Sequence, residues 1–359
     1  MIKLCLFTFL FAASSIIGFS QCSVSSCSFN SLEVPDSVNF ILLGENHQMN
    51  NTGHKLELIR HLYNEWGVYE IGLEYPRALE YRVNKFITTG DPRAHQEIKD
   101  VYFQNRWDQM ALLEGIYELN QQIGDGRKIH VNCFDMDLDA SDIALIELDA
   151  MLSYRDDERL DTLRGILEEN VDGDYLEKTI YKLRKELVEN IDVYYELLGD
   201  DFFALNDAID GAEISNNYDD LSLDNDTLSA DREDFISSSL DKALTRSASR
   251  KMLVFIGSYH ISNFEDDDIS ESTSSNYILR SEYNRNTLSI VTVYHNHKNF
   301  PFSFYSSGYS NYLDLELFSY FKKHKKQFMF LGKEKFLDSE DLCDRFDGLL
   351  VKDCTNHWR

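Results

Sequence analysis

Carboxylate and imidazole side chains follow several short apolar runs in this sequence, at the points where the runs end. They are Glu45 with His47, Glu74, Asp135 with Asp137, and His260. A neutral imidazole can take a proton from water, and a carboxylate bonded to its second nitrogen fixes the tautomer and stabilises the imidazolium. If these groups meet in one place, they predict an acid and base site that activates water.

The segments before these groups are typical of strands in a parallel sheet. The run Phe40–Leu43 consists of large apolar residues, which indicates a strand buried on both faces. Apolar residues at helical spacing over residues 54–66 predict a helix, and a second short strand closes on Glu74. Parallel strands joined by a crossover helix have their carboxyl ends on one edge, where open α/β sheets bind ligands. We therefore expect Glu45, His47 and Glu74 at that edge.

The whole chain follows an α/β pattern. Strands alternate with helices, which predicts a three-layer α/β/α fold with a mainly parallel sheet. In the middle the sequence changes to long, charge-rich helices, typical of a helical insertion that caps the carboxyl edge. The expected limits are a signal peptide over 1–20, a flexible lead-in over 21–35, the first half of the α/β domain over 36–139, the helical cap over 140–249 and the second half over 250–359.

Three segments between the strands have patterns of their own. Residues 107–123 carry an apolar stripe that ends at Gly124, which predicts a helix. Apolar residues recur at gaps of three and four over residues 176–198, which predicts a helix with one seam packed against another helix. Asn, Asp and Ser dominate residues 206–234, which predicts a loop, and the acids there lack the spacing of a calcium-binding loop.

Composition indicates a globular protein and argues against nucleic acid as a partner. Hydrophobic residues make up 43% of the chain, with 23 Phe and 20 Tyr, and supply a sizeable core. The formal charge of −27, from 35 Lys+Arg against 62 Asp+Glu, repels phosphate backbones. Nucleic acid is therefore an unsuitable partner.

The amino-terminal residues are typical of a cleavable signal peptide. Lys3 supplies the positive charge, the stretch from Leu4 to Ile17 is apolar, and Gly18 and Ser20 occupy the positions that a signal peptidase reads. We predict cleavage before Gln21 and export to the periplasm, the cell surface or the medium. The apolar stretch is shorter than the roughly twenty residues that span a bilayer, so we expect no membrane span in the mature chain.

The cysteines are read in the light of that export. Cys22 with Cys27, and Cys343 with Cys354, are close enough in sequence to form disulfides. Cys133 lies in a predicted buried strand and is expected to be a core residue. No Cys and His spacing matches a zinc site.

Other polar residues are assigned ordinary structural places. Lys55 and Arg60 are expected on the surface of the first helix, with positive charge near the cleft as the alternative. His295 and His297 are expected to be exposed loop histidines, although they could add to a cation site. Ser258 follows a strand but lacks the second glycine of a nucleophile elbow, so water activated directly is the simpler chemistry.

Five short motifs carry a resemblance to a known superfamily. They are Gly44-Glu45-Asn46-His47, Gly72-Leu73-Glu74, the stretch over residues 84–91, Phe134-Asp135-Met136-Asp137 and Gly257-Ser258-Tyr259-His260. In type and order they resemble the EreA/ChaN-like superfamily, which holds the erythromycin esterases, the ChaN-type haem-binding lipoproteins and Tiki-type metalloproteases. The resemblance covers most of the mature chain, apart from the helical insertion.

The resemblance implies an α/β/α fold with a helical cap over a cleft, and a set of roles. Carried over from the esterases, His47 is the general base, Glu45 and Glu74 are the glutamates beside it, and His260 is the second histidine. This gives an exported hydrolase that cleaves an ester or related acyl bond with no required cofactor and no metal ligands. One residue separates Glu45 from His47, as in the ChaN-type and Tiki-type motifs. A haem-binding or iron-binding surface protein and a metal-dependent peptidase therefore stay open as alternatives, with haem or a divalent metal as the possible cofactor.

Overall fold

The computed structural model describes residues 32, 34–45, 52–101, 107–124, 126–136, 141–168, 176–199, 201–218, 225–262, 274–295, 304–305, 328–332 and 347–353. The expected signal peptide, most of the lead-in, and Cys22, Cys27, Cys343 and Cys354 lie outside these ranges. The expected export and disulfides therefore stay predictions.

Eight strands in the described part of the chain form one sheet. They are β1 (Phe40–Glu45), β2 (Glu70–Pro76), β3 (His130–Asp135), β4 (Met252–Gly257), β5 (Thr287–His295), β6 (Phe304–Tyr305), β7 (Phe328–Gly332) and β8 (Gly348–Asp353). The order is β3-β2-β4-β1-β5-β8-β7, and β6 pairs with β5. All pairings from β3 to β8 along this path are parallel, whereas β6 and β7 pair antiparallel to their neighbours. The sheet is mainly parallel, as predicted.

Strand β4 lies between β1 and β2, although it comes much later in the sequence. Its residues pair in register with β1 from Phe40 opposite Met252 to Glu45 opposite Gly257, and β2 pairs with its other edge. Every residue of β1 and β4 is buried, because both faces of the sheet are covered. The carboxyl ends of β1, β4 and β2 consequently lie side by side.

Four helices cover one face of this sheet. They are α1 (Thr52–Trp66), α2 (Glu80–Thr89), α3 (Pro92–Val101) and α4 (Trp107–Ile123). Alternate strand residues such as Leu43 and Phe255 pack in one core with Ile59 of α1 and Leu113 of α4. Helix α4 has the predicted limits, and Gly124 after it has a φ of 62°, a conformation that favours glycine.

A second group of helices lies between β3 and β4 in the sequence. It consists of α5 (Ser141–Ser153), α6 (Asp161–Glu168), α7 (Leu176–Glu189), α8 (Ile191–Leu198), α9 (Asp201–Tyr218) and α10 (Asn225–Arg246). Buried residues of α5 to α9 form a core of their own, separate from the core under the sheet. Helix α10 contacts β3 and brings two charged residues to the carboxyl edge. A last short helix, α11 (Ser275–Ser281), follows β4. The expected limits of the cap, 140–249, stay a prediction.

The predicted loop over residues 206–234 is wrong. Helix α9 runs to Tyr218 and α10 starts at Asn225, so most of the segment is helical. The buried residues Ala208, Ile209 and Ala212 recur one turn apart and pack in the helical core. Burial of this narrow apolar stripe outweighs the low helix propensity of the Asn and Asp around it.

The predicted seam over residues 176–198 is confirmed in part, because Ile191, one of its predicted positions, is 50% exposed. Its residues Ile180, Leu183, Leu187, Tyr194 and Leu198 are buried in the helical core. The helix is interrupted at Asn190, which has φ −123° and ψ 30°, so that two helices share the seam.

Candidate functional site

Glu74 ties three elements together at the carboxyl edge of the sheet. One carboxylate oxygen, Oε2, accepts a hydrogen bond from the backbone N–H of Gly257, at 2.6 Å. The other, Oε1, accepts one from Nη2 of Arg232, at 2.9 Å. Strand β2, the end of β4 and helix α10 therefore meet at one side chain.

Asp135, the last residue of β3, shares the same arginine. Arg232 donates from Nε to Oδ1 at 3.0 Å and from Nη2 to Oδ2 at 2.8 Å, and the N–H of Met136 also donates to Oδ1. Burial raises the pKa of the Asp135 carboxyl, the contacts with Arg232 lower it, and the nearby Glu74 carboxylate raises it again. The net direction is upward, so Arg232 offsets only part of the cost of burying this carboxylate.

His260 is buried in a 3-10 turn, Ser258–Ile261, that follows β4 directly. Its Nδ1 is hydrogen-bonded to Oε1 of Glu233, and its Nε2 lies 3.8 Å from Oε1 of Glu74. Burial alone would lower the pKa of His260, but the charge and hydrogen bond of Glu233, with a smaller contribution from Glu74, raise it overall. Because an ionised carboxylate can only accept, Nδ1–H donates to Glu233, and the raised pKa extends the pH range over which the imidazole is protonated.

Glu233 is the matching half of this pair. Burial raises the pKa of its carboxyl. The charge of His260 and hydrogen bonds from His260 and Ser275 lower this pKa, and together they outweigh burial, so that the pKa is below its usual value. The carboxylate is therefore ionised and supports the charge of the imidazolium.

Glu45 lies at the same edge but makes a different contact. Its Cα pairs with Gly257, and its Oε1 accepts a hydrogen bond from Nζ of Lys55, at 2.5 Å. Lys55 lies over the ring of Phe255, with Nζ 5.0 Å from the centroid. The prediction of a surface lysine is therefore wrong for Lys55, because its side chain is only 14% exposed and neutralises a buried carboxylate. Arg60 is exposed, as predicted.

Several predicted groups cannot be placed in this arrangement. His47, Asp137 and His297 lie outside the described residues, and of His295 only the backbone is described, at the end of β5. Of the predicted site residues, the structure brings Glu74 and His260 close together and sets Glu45 on the strand next to Gly257. Asp135 joins Glu74 through Arg232.

Arg232 and Glu233 are the two residues of this arrangement that the sequence reasoning missed. They fall in the segment assigned to a loop, so their charges carried no positional meaning. The available signal was helical spacing, because Glu233 precedes the buried Ile236, Leu240 and Leu244 of α10 at intervals of three or four residues. An acid on the buried stripe of a helix needs a partner, and His260 is that partner.

The arrangement is suited to general acid catalysis, in which a side chain donates a proton to a substrate. A cationic imidazole held by a buried carboxylate can donate a proton or stabilise a developing oxyanion. Glu74 is fixed from two sides and lies beside the second ring nitrogen. Among the residues that the structure describes, no group of three or more His, Cys, Asp or Glu side chains is placed to hold a metal ion.

Two further predictions concern residues outside the site. One is that Cys133 is a core residue, and the other is that no segment of the mature chain spans a membrane. Cys133 is buried in β3 without a disulfide partner, as expected for a core residue, and burial raises the pKa of its thiol. Within the described ranges, no helix combines the length and the apolar character needed to cross a bilayer.

Three solved structures are similar to this chain along nearly its whole length. A protein from Bacillus cereus superposes with a TM-score of 0.64 and 15% identity, covering 91% of this chain and 92% of its own. A structure described as a succinoglycan biosynthesis protein gives 0.61 and 15%, with 89% and 88% covered. A mutant of the erythromycin esterase EreC, in its open conformation, gives 0.61 and 14%, with 94% and 96% covered.

No family model and no curated protein matches the sequence. At 14–15% identity the likeness to solved structures concerns the fold. The chain therefore has the α/β fold, with its helical segment, that an erythromycin esterase also has.

Proposed function

We propose that this protein is an exported hydrolase of the erythromycin esterase-like type, within the EreA/ChaN-like superfamily, that cleaves an ester or related acyl bond of a small molecule. The observation that carries the proposal is the buried His260 held by Glu233 next to Glu74 at the carboxyl edge of the sheet, an arrangement that raises the pKa of His260. The fold shared with an erythromycin esterase supports it. Export rests on the signal-peptide pattern of residues 1–20.

In the proposed mechanism His47 is the general base. It takes a proton from water while the water oxygen bonds to the acyl carbon, and the carbonyl oxygen becomes an oxyanion. His260 stabilises that oxyanion or protonates the leaving alkoxide when the acyl C–O bond breaks. Glu74 lies 3.8 Å from Nε2 of His260, and its negative charge stabilises the protonated ring.

No cofactor is required in this proposal. A buried acid and a base can together activate water, as in many hydrolases, and the carboxylates of Glu74 and Asp135 are already occupied by Arg232. Haemin and a divalent metal remain the ligands of the two competing functions, so both belong in the test.

The test measures hydrolysis of p-nitrophenyl acetate and of a panel of lactones, including erythromycin, by wild type and four variants. We expect His47→Ala and His260→Asn each to reduce kcat by roughly 10²-fold or more, the usual size of a lost acid or base. We expect Glu74→Gln to reduce kcat as well, through its effect on His260. The control is His95→Ala, because His95 also bonds a carboxylate, Glu114, but lies on α3. Full turnover by His47→Ala would refute the mechanism.

Two further measurements separate the competing functions. We expect hydrolysis to survive EDTA, and we expect no Soret band after incubation with haemin. Loss of activity in EDTA that Zn²⁺ restores would instead support the metal-dependent peptidase. A stable Soret band together with no hydrolysis would support the haem-binding or iron-binding protein.

Amino-terminal sequencing of exported protein tests the signal peptide, and we expect the sequence of the exported protein to start at Gln21.

A further inference from the structure

The two oxygens of the Glu233 carboxylate have separate partners. Oε1 bonds Nδ1 of His260, while Oε2 accepts hydrogen bonds from both the backbone N–H of Ser275, at 2.7 Å, and the Ser275 hydroxyl. Glu233 and Ser275 are both buried. Because a glutamate has three side-chain torsions, only such contacts on Oε2 fix which oxygen faces the imidazole.

The start of α11 also holds the turn that carries His260. The Asn276 side chain donates from Nδ2 to the carbonyl oxygens of Ile261, at 3.0 Å, and Ser262, at 3.1 Å. The Ser274 hydroxyl donates to the same Ser262 carbonyl, at 2.7 Å. Residues 274–276 therefore contact both halves of the pair, namely the carboxylate on α10 and the turn after β4.

We propose that Ser275 is a positioning residue for His260, acting through Glu233, and that Asn276 holds the His260 turn in register with it. The proposal rests on the proposed function, in which His260 is the acid. Ser275 touches neither the imidazole nor the reacting atoms, so its effect reaches His260 only through the carboxylate. Loss of its hydroxyl leaves Oε2 with one donor and lets the carboxylate rotate.

The charged groups that face His260 in the described part of the chain are few. Glu233 and Arg232 face it from α10, Glu74 faces it from β2, and Asp135 interacts with it from the end of β3. Ser275 is neutral, so its replacement changes no charge near the imidazole. A change at His260 in a Ser275 variant therefore reports geometry rather than a new electrostatic field.

The chain contains a matched control with the same chemistry elsewhere. Near the amino end of β5, Ser289 donates from both its backbone N–H, at 2.9 Å, and its hydroxyl, at 3.0 Å, to Oδ2 of Asp347. Ser289 is buried as well. Ser289→Ala removes the same kind of bond from a different carboxylate, Asp347, which is not the carboxylate that bonds His260.

The first measurement is NMR of the full-length chain and needs no substrate. The Nδ1–H proton of His260, identified by its loss in His260→Asn, should give a slowly exchanging downfield signal. We expect Ser275→Ala to shift or broaden that signal, whereas Ser275→Thr and Ser289→Ala leave it in place. An unchanged signal in folded Ser275→Ala would overturn the proposal, whatever the enzyme assay shows.

The second measurement is hydrolysis by the same three variants. We expect Ser275→Ala to lower kcat roughly tenfold, the scale of one hydrogen bond to a charged group, with KM nearly unchanged. Ser275→Thr should restore most of that rate, and Ser289→Ala should be normal. If wild type hydrolyses nothing but the NMR signal responds as expected, the proposed function fails and the positioning role stands. Equal loss of kcat in Ser289→Ala would mean a general loss of stability and would overturn the role.

Discussion

Arg232 offers the sharpest test of the electrostatics at the carboxyl edge. Its guanidinium donates three hydrogen bonds to two carboxylates, those of the buried Asp135 and the largely buried Glu74. In Arg232→Met the volume is nearly kept, but the two carboxylates face each other without the cation. Removing one partner of a buried ion pair costs about 3–5 kcal/mol, and the 21% exposure of the Arg232 side chain favours the lower end, about 3 kcal/mol.

The pH dependence of that cost follows from Asp135. Its pKa in the folded state is already above the usual value, and loss of Arg232 raises it further. A folded-state pKa above the unfolded one means that the folded state binds more protons, so stability is highest at low pH and falls as pH rises. The loss caused by Arg232→Met should therefore be smallest below about pH 4, the usual pKa of an aspartate, and should grow as pH rises toward neutral, to on the order of the full 3 kcal/mol.

Urea denaturation followed by circular dichroism at several pH values measures this effect. The control is Arg285→Met, which removes a cation 2.6 Å from a single carboxylate, Asp241, and should cost about 1 kcal/mol or less. Adding Asp135→Asn to Arg232→Met should recover about 1–2 kcal/mol, because the unpaired charge is gone. A loss below about 1 kcal/mol, or a loss that grows toward acid pH, would refute the reasoning.

Two further predictions concern stability and reactivity. A Cβ at Gly44 would overlap the Ile261 side chain and lie 3.0 Å from Cα of Ser258. Gly44→Ala should therefore lower the free energy of unfolding by about 2 kcal/mol or more in urea denaturation. It should also reduce turnover, because the turn that carries His260 must move. Gly53→Ala, with open space around its Cβ, should be neutral or stabilising, and equal melts of the two variants would contradict the packing argument. Cys133 is buried with a raised pKa, so peptide mapping should find it alkylated by iodoacetamide only after denaturation. Rapid modification of Cys133 in the native protein would show that β3 is less protected than its burial indicates.

The strands and the placement of Glu74 and His260 follow from sequence patterns that buried parallel sheets impose. Runs such as Phe40–Leu43 have one interpretation, because no face of such a strand meets water. The order of the strands does not follow, since nothing local in Met252–Gly257 says that it separates β1 from β2. The prediction that the polar groups lie at one edge requires only that the strands are parallel. It therefore does not depend on knowing the order of the strands.

The helical segment was harder to predict. In α9 and α10 the apolar stripe is narrow and the outer face is rich in Asn, Asp and Ser, so local propensity pointed to a loop while tertiary burial decided for helix. Arg232 and Glu233 lie in the segment that was predicted to be a loop, so they were not identified as candidate site residues. Lys55 was misjudged for a related reason, since its partner Glu45 lies ten residues away on another element, and only the fold brings the two together.

Strand β4 comes late in the sequence, so the centre of the sheet and the candidate site can form only after that strand has been synthesised. A nascent chain that ends before residue 252 has β1 and β2 but lacks the strand that must separate and join them, so both would present unsatisfied backbone edges. The same stretch supplies the Gly257 amide that holds Glu74, and the imidazole follows three residues later. Insertion of one central strand therefore joins β1 to β2 in the core and brings the proposed acid to the site in a single event, and such long-range closure is expected to be slow. Any intermediate that awaits this strand would be both vulnerable to aggregation and inactive.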